Sequence, residues 1–234
     1  MTFDPVLMIM QPRQIDESIN SLKENIDIPK VWFRAYTEPQ VVARMNLYIK
    51  ETNFSHYIVM GDDGVVSKKA VDTILKYGEM KEYDVFTGWM NMHIMPDGNF
   101  SRESTICLGW IPEWKGSEGP ERDEYPEWKP MSWVANLPQD KVIRIATANF
   151  AMTIAERELF LRFPLQTHKN NRASDHHWSY RLQRAGVKVY THPDAFIKHL
   201  RQGWGPWRVN WLVGNVESEI RYENMKWGNR ESYV

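Results

Sequence analysis

Apolar residues enter this chain in two rhythms. Val6-Leu7-Met8-Ile9-Met10 is an unbroken apolar run stopped by Pro12, too short for a helix and suited to a strand buried on both faces. From Gln14 to Ile26 the rhythm changes: Ile15, Ile19, Leu22 and Ile26 recur at helical spacing, and Pro29 supplies the stop. Val31–Tyr36 then predicts a second strand, Val41–Lys50 a second helix with a broad apolar face, and His56–Met60 a third strand. A helix over Lys68–Tyr77 and a strand over Asp84–Trp89 complete a βαβαβαβ alternation. That alternation predicts an α/β fold, one mostly parallel open sheet with helices on both faces, because parallel neighbours require crossovers and the crossover helices cover the sheet.

The segment from Met95 to Asp140 breaks the pattern. It collects Pro96, Pro112, Pro120, Pro126, Pro130 and Pro138 together with Trp110, Trp114, Trp128 and Trp133, and has little periodicity. A long aperiodic stretch inside a compact domain is usually functional or disordered, and its aromatic content favours an ordered, lid-like insertion over residues 95–140. Regular pattern resumes over Ile143–Ala155, then a helix over Glu156–Phe163, a polar loop, a helix over Asp175–Ala185 and a strand near Val187–Tyr190. The tail from Gly203 is again rich in tryptophan. The expectation is one domain over residues 1–234, with an N-terminal half (1–92), a second half (93–203) and a tail (204–234).

Composition narrows the function classes. Lys and Arg number 29 against 30 Asp and Glu, so the formal charge of -1 offers no basic field for nucleic acid or an anionic membrane. No apolar run approaches the ~18 residues of a membrane span, and Met1-Thr2-Phe3-Asp4-Pro5 has no basic stretch leading into an apolar one, so the chain reads as soluble and unprocessed. Cys107, the single cysteine, cannot form an internal disulfide, and no paired-cysteine zinc pattern occurs; a reducing, cytoplasmic setting is the expectation.

Candidate chemistry concentrates at three places. Gly61-Asp62-Asp63-Gly64 directly follows the third strand, so both carboxylates fall beyond its carboxyl end, where open α/β sheets bind ligands. Adjacent carboxylates between glycines suit a hard divalent cation that keeps several waters and shares phosphate oxygens. The same four residues are also ordinary turn formers, and only the strand context favours the ligand reading. Asp175-His176-His177-Trp178 opens a helix with Ser174 as its expected N-cap, and Asp175 there could simply complement the helix dipole. His176 and His177 point about 100° apart on a helix and do not form a same-face metal pair. His199 closes the strand-like run from Thr191; a lone histidine is more often structural. The tryptophans could be core or could stack on sugar faces.

Taken in order, these pieces resemble the GT-A fold nucleotide-sugar glycosyltransferases, in particular the large inverting family (family 2-like) that includes bacterial polysaccharide transferases. Tyr57 to Gly64 looks like the family's strand and Asp-x-Asp metal motif, with the two acids adjacent rather than separated. Asn149 to Phe160 resembles the strand beneath the acceptor site and its following helix. Ser174 to Tyr190 resembles the acidic catalytic segment and its Arg-Leu…Ala-Gly helix end, with Ser174 replacing the usual glutamate. His192-Pro193 to His199 matches a run ending in a metal- or diphosphate-binding histidine. The resemblance implies a Rossmann-like sheet and a hexosyltransferase-like enzyme using Mn²⁺ or Mg²⁺ and a nucleotide diphosphate sugar. It implies metal at Asp62, Asp63 and His199, donor contacts at Asp62, Asp63, Glu38, Lys198 and Arg201, and a catalytic base at Asp175. The first half would bind the nucleotide sugar and the second the acceptor, through Asn149 and the tryptophans Trp110, Trp114, Trp128 and Trp133. The acceptor would be a glycan, a lipid-linked species or a protein; neither nucleic acid nor a membrane span is expected, and a homo-oligomer is compatible with the sequence.

Two rivals stand beside that reading. A sugar nucleotidyltransferase would carry a glycine-rich phosphate loop after the first strand, and Met10-Gln11-Pro12-Arg13 contains no glycine. A carbohydrate-binding protein would keep the fold and the aromatic stacking without catalysis.

Overall fold

The apolar run that opens the chain becomes β1 (Pro5–Met10), buried along its whole length, in the computed structural model. That structure describes residues 2–10, 15–34, 38–90, 110–112, 128–130, 141–145, 147–167 and 174–199. The helical rhythm that follows is α1 (Asp16–Asn25), with Asp16 and Glu17 in its first turn and Lys23 in its last, each sign matched to the helix dipole. β2 (Lys30–Phe33) lies parallel to β1. α2 (Glu38–Glu51) leads to β3 (His56–Gly61), parallel on the other side of β1. The orphan carbonyls at the end of α2 are satisfied from far along the chain: Arg157 donates to the carbonyls of Ile49 (3.2 Å), Lys50 (3.2 Å) and Thr52 (2.9 Å).

A short β4 (Gly64–Val65) precedes α3 (Lys68–Gly78), which Ser67 caps by accepting from the Ala70 amide at 3.2 Å. The strand expected over Asp84–Trp89 is divided into β5 (Val85–Phe86) and β6 (Trp89–Met90). The break falls at Gly88, whose amide donates to the Ala151 carbonyl at 2.9 Å instead of continuing the ladder. A Cβ on Gly88 would lie 2.4 Å from that carbonyl oxygen, so only glycine allows the approach. Of the irregular segment over 95–140, β7 (Trp110–Pro112) and β8 (Trp128–Pro130) are described, paired antiparallel with Trp110 opposite Pro130 and Trp128 opposite Pro112. Trp114, Trp133, Arg201, the polar loop over 168–173 and the tail over 204–234 lie outside the described residues.

The remainder comprises β9 (Ile143–Ile145), β10 (Thr153–Glu156), α4 (Arg157–Arg162), α5 (Ser174–Arg184), β11 (Val189–Thr191) and β12 (Phe196–His199). Ser174 is the first residue of α5 rather than a cap preceding it. That helix ends where Gly186 turns to φ 75, with its amide on the Gln183 carbonyl (2.9 Å) and the Val187 amide on the Leu182 carbonyl (3.0 Å), a Schellman closure.

Among the described residues the main sheet has seven strands in the order β2-β1-β3-β10-β5-β11-β9. The expectation of a mostly parallel sheet is corrected here: three neighbouring pairs are parallel and three antiparallel. β10 enters from the carboxyl edge of the sheet and runs back between β3 and β5, antiparallel to both. The architecture is also not one sheet: β4, β12 and β6 form a second, three-stranded one, and β7 and β8 a two-stranded ribbon.

Strand alternation sorts the core into two layers. Val6, Met8, Met10, Tyr57 and Val59 pack with Met45, Phe160 and Trp178 from α2, α4 and α5. Leu7, Ile9, Ile58 and Met60 pack with Leu22 and Ile74 from α1 and α3. Each fully buried apolar side chain contributes roughly 1.5–3 kcal/mol, and the central strands carry them on both faces. Trp178 is core: its ring stacks on Phe160 at 4.9 Å and 6°, and its Nε1 donates to the Phe163 carbonyl at 2.6 Å. Among the described residues no helix is long and apolar enough to cross a membrane.

Candidate active site

The parallel strands bring their carboxyl ends to one edge. Met10 is in register with both Phe33 and Gly61, and β5 and β11 run in the same direction beyond the inserted β10. Asp62 and Asp63 leave β3 at that edge and are 3% and 8% exposed. Burying a carboxylate is costly unless partners compensate it, so two in succession mark a built feature rather than an ordinary surface turn. Each has an interacting neighbour. The Asp63 carboxylate folds back over Gly61: a Cβ added there would lie 3.2 Å from Asp63 Oδ1.

Both limbs of this acidic loop are held. On the incoming side the Gly61 amide donates to the Phe150 carbonyl at 2.9 Å. On the outgoing side Ser18 Oγ donates to the Gly64 carbonyl (2.7 Å), and Ser21 Oγ accepts from the Val66 amide (3.2 Å), so α1 grips the chain just past the acids. β12 then pairs antiparallel with β4, His199 opposite Gly64 and Lys198 opposite Val65. Gly64, the residue after Asp63, and His199 are thereby paired across adjoining strands although more than 130 positions apart. Lys198 itself is exposed, with Nζ donating to Glu17 Oε1 at 2.8 Å across to α1. Glu38 begins α2 after the carboxyl end of β2.

The segment over 147–152 forms the neighbouring wall and is tied by several hydrogen bonds. The Asn149 carbonyl accepts from Thr87 Oγ1 (2.9 Å) and from Thr153 Oγ1, and the two hydroxyls also contact each other at 2.7 Å. The Ala151 amide closes onto the Asn149 carbonyl at 2.5 Å, and Met152, fully buried, takes φ 61. A non-glycine residue in that region stores strain of order 1–3 kcal/mol and persists only where surrounding bonds enforce it. Within this anchored segment the Thr147 hydroxyl and both polar atoms of the Asn149 amide are buried without a hydrogen-bond partner among the described residues. An unsatisfied buried group typically costs about 1–3 kcal/mol.

α5 is docked on the same segment through Ser179. Its Oγ accepts from the Ala148 amide at 2.9 Å and donates to the Asp175 carbonyl at 2.6 Å, one turn earlier. Asp175, half-buried in the first turn, is thus joined through a single serine to the residue between Thr147 and Asn149. The tertiary structure therefore gathers the acidic loop, the strand bearing His199, Asn149 and the start of α5. Trp110 and Trp128 are on the β7–β8 ribbon.

Comparison with solved structures decides the fold. Over 94% of this chain and 47% of its counterpart, the structure superposes on that of GalNAc-T7 with UDP, GalNAc and Mn²⁺, with a TM-score of 0.54 at 10% sequence identity. The fold is GT-A-like. A197 from STIV is also similar, over 86% of this chain and 95% of that one, with a TM-score of 0.48 at 12% identity. No family model and no curated protein matches the sequence. This chain spans about half of the GalNAc-T7 chain, and at such identity the likeness is one of fold.

Within the GT-A-like fold the donor set for a cation can be weighed on its chemistry. Among the described residues no group of three or more His, Cys, Asp or Glu side chains is gathered around one point. Two buried carboxylates at a strand end nevertheless fit a hard cation that retains waters and takes its other ligands from phosphate, which needs only one or two protein carboxylates. Four residues of this edge escaped the sequence reading: Thr87, Thr147, Met152 and Ser179. Only Ser179 had a local signal, one helical turn after Asp175; the features of the others exist only in the folded chain.

Proposed function

We propose that this chain is an inverting glycosyltransferase that moves one sugar from a nucleotide diphosphate sugar to a hydroxyl of a glycan, lipid-linked or protein acceptor. The observation that carries the reading is the pairing of β12 with β4, which sets His199 opposite Gly64, beside the buried acids Asp62 and Asp63. Those acids, with His199, would hold Mn²⁺ or Mg²⁺ against the donor diphosphate. A cation bound there supplies Lewis-acid stabilisation of the charge that develops on the departing nucleotide diphosphate.

The residues of the chain do the rest. Asp175, at the start of a helix tied by Ser179 to the sheet edge, accepts the proton of the attacking acceptor hydroxyl, a role typically contributing about 10²–10⁴-fold. Attack by the acceptor on the anomeric carbon, opposite the leaving group, inverts that centre. Glu38 at the start of α2, Lys198 and Arg201 contribute to holding the nucleotide, and Trp110, Trp114, Trp128 and Trp133 to an acceptor lid that excludes the competing nucleophile, water.

The test is incubation with UDP-, GDP- and dTDP-linked sugars and Mn²⁺, with mass spectrometry of released nucleoside diphosphate. Release, accelerated by an acceptor hydroxyl, is the expected result. Absence of both release and binding across the panel would remove the reading.

A further inference from the structure

From the unsatisfied polar atoms of the 147–149 segment, we infer that Thr147 and Asn149 form the subsite that receives the transferred sugar of the donor, an uncharged, hydroxyl-bearing ring. The inference rests on the glycosyltransferase reading and moves Asn149 from the acceptor side, where the sequence placed it, to the donor side. Asn149 is 2% and Thr147 1% exposed, and three side-chain atoms, Thr147 Oγ1, Asn149 Nδ2 and Asn149 Oδ1, have no partner among the described residues. Native proteins satisfy the large majority of buried polar atoms, so three within three residues call for an explanation beyond packing.

The surroundings make accident a poor explanation. The Asn149 carbonyl takes the Thr87 and Thr153 hydroxyls, while its side chain has no partner among the described residues. Between the two residues, Ala148 donates its amide to Ser179 Oγ of α5. Three residues past Asn149 the chain passes through the strained Met152. The segment is held firmly by its main chain, and two neutral polar side chains are kept without a partner among the described residues.

Position selects the ligand. Phe150, the next residue, accepts the Gly61 amide, so Asn149 is one residue from the strand end that carries Asp62 and Asp63. The donor diphosphate belongs to those acids, and the group attached to its terminal phosphate is the sugar. An amide with two donors and an acceptor, beside a hydroxyl that can do either, complements ring hydroxyls without charge. A carboxylate on the sugar would instead approach two buried carboxylates.

The test compares Asn149→Leu and Thr147→Val with the wild-type chain by calorimetry in Mn²⁺, using each nucleotide sugar of the panel above and its matching nucleoside diphosphate. The readout is the ratio of the nucleoside diphosphate Kd to the nucleotide sugar Kd. For Asn149→Leu the expected outcome is a nucleoside diphosphate Kd within about twofold of wild type and a fall in the ratio of about tenfold or more, because a site built to bond a hydroxyl is left without its polar group. Thr147→Val, nearly isosteric, should lower the ratio several-fold and keeps the test open if the Asn149 variant does not fold. An unchanged ratio in the folded variants would overturn the subsite while leaving the glycosyltransferase reading intact. A wild-type chain that binds neither nucleotide sugar nor nucleoside diphosphate would overturn both.

Discussion

His199 stands opposite Gly64 in the antiparallel pairing of β12 with β4, which brings the last strand of the described fold against the residue that follows Asp63. Gly64 fits that place because it has no side chain: a Cβ there would lie 2.9 Å from Ile197 Cγ2 and 2.6 Å from the Met60 methyl. The pairing turns a dipeptide common in turns and a lone histidine into neighbours at the carboxyl edge of a GT-A-like sheet.

Metal and donor binding should depend on the acids at that edge. Asp63→Asn and Asp62→Asn each replace a buried carboxylate by a neutral amide of the same shape. At least one should weaken Mn²⁺-dependent nucleotide binding by tenfold or more, about 1.4 kcal/mol. Calorimetry with unchanged Mn²⁺ dependence in both variants would dismiss the cation site.

Asp175→Asn separates catalysis from helix capping. Loss of a first-turn charge costs at most about 1 kcal/mol of stability, whereas loss of a general base lowers turnover by roughly 10²-fold or more. Thermal melting and kcat measured together decide between them: a variant with a normal melting temperature and most of its turnover leaves Asp175 a purely structural residue.

Ser179→Ala should act on both stability and rate. It removes the acceptor of the buried Ala148 amide and the bond to the Asp175 carbonyl, for a loss of about 1–3 kcal/mol in urea unfolding. Because the serine joins α5 to the 147–149 segment, kcat should fall more than KM rises; a stability loss with normal kcat would show that this tether does not position Asp175.

Gly88→Ala presses a methyl group against the Ala151 carbonyl oxygen at 2.4 Å. Backbone must shift, and overpacking of this kind costs about 1–3 kcal/mol. A lower urea midpoint is expected; an alanine variant as stable as wild type would refute the close approach that divides β5 from β6.

The opposite edge of the sheet carries a pH-dependent term. Burial pushes the His56 imidazole below its ordinary 6.5, outweighing the opposing pull of Glu156 and Glu79. Ser55 Oγ, which accepts from the Asp4 amide at 2.7 Å, is hydrogen-bonded to His56 Nδ1 at 2.9 Å. The unfolded chain therefore binds the proton more readily than the folded one. Stability from this group is full above about pH 6.5 and declines as pH falls toward the lowered folded value. In His56→Gln the loss of melting temperature between pH 7.5 and pH 5.5 should shrink; an identical loss would exclude the histidine as its source.

What the sequence determined by itself is whatever depends on near neighbours along the chain. The unbroken run of Val6–Met10 required a strand buried on both faces, the spacing of Ile15, Ile19, Leu22 and Ile26 required a helix against a core, and the acids after β3 had to emerge at the strand's carboxyl end. The direction of β10 was not so determined, since an apolar run buried on both faces satisfies its pattern in either sense and only the approach through Ala148–Met152 makes it run antiparallel. The break at Gly88 answers to the Ala151 carbonyl, 63 residues away, and the place of His199 answers to β4. The burial of Thr147 and Asn149 without partners among the described residues likewise exists only in the folded chain. Periodicity records which face of an element is buried; pairing, strain and unmet hydrogen bonds arise when distant segments meet, and those meetings built this edge.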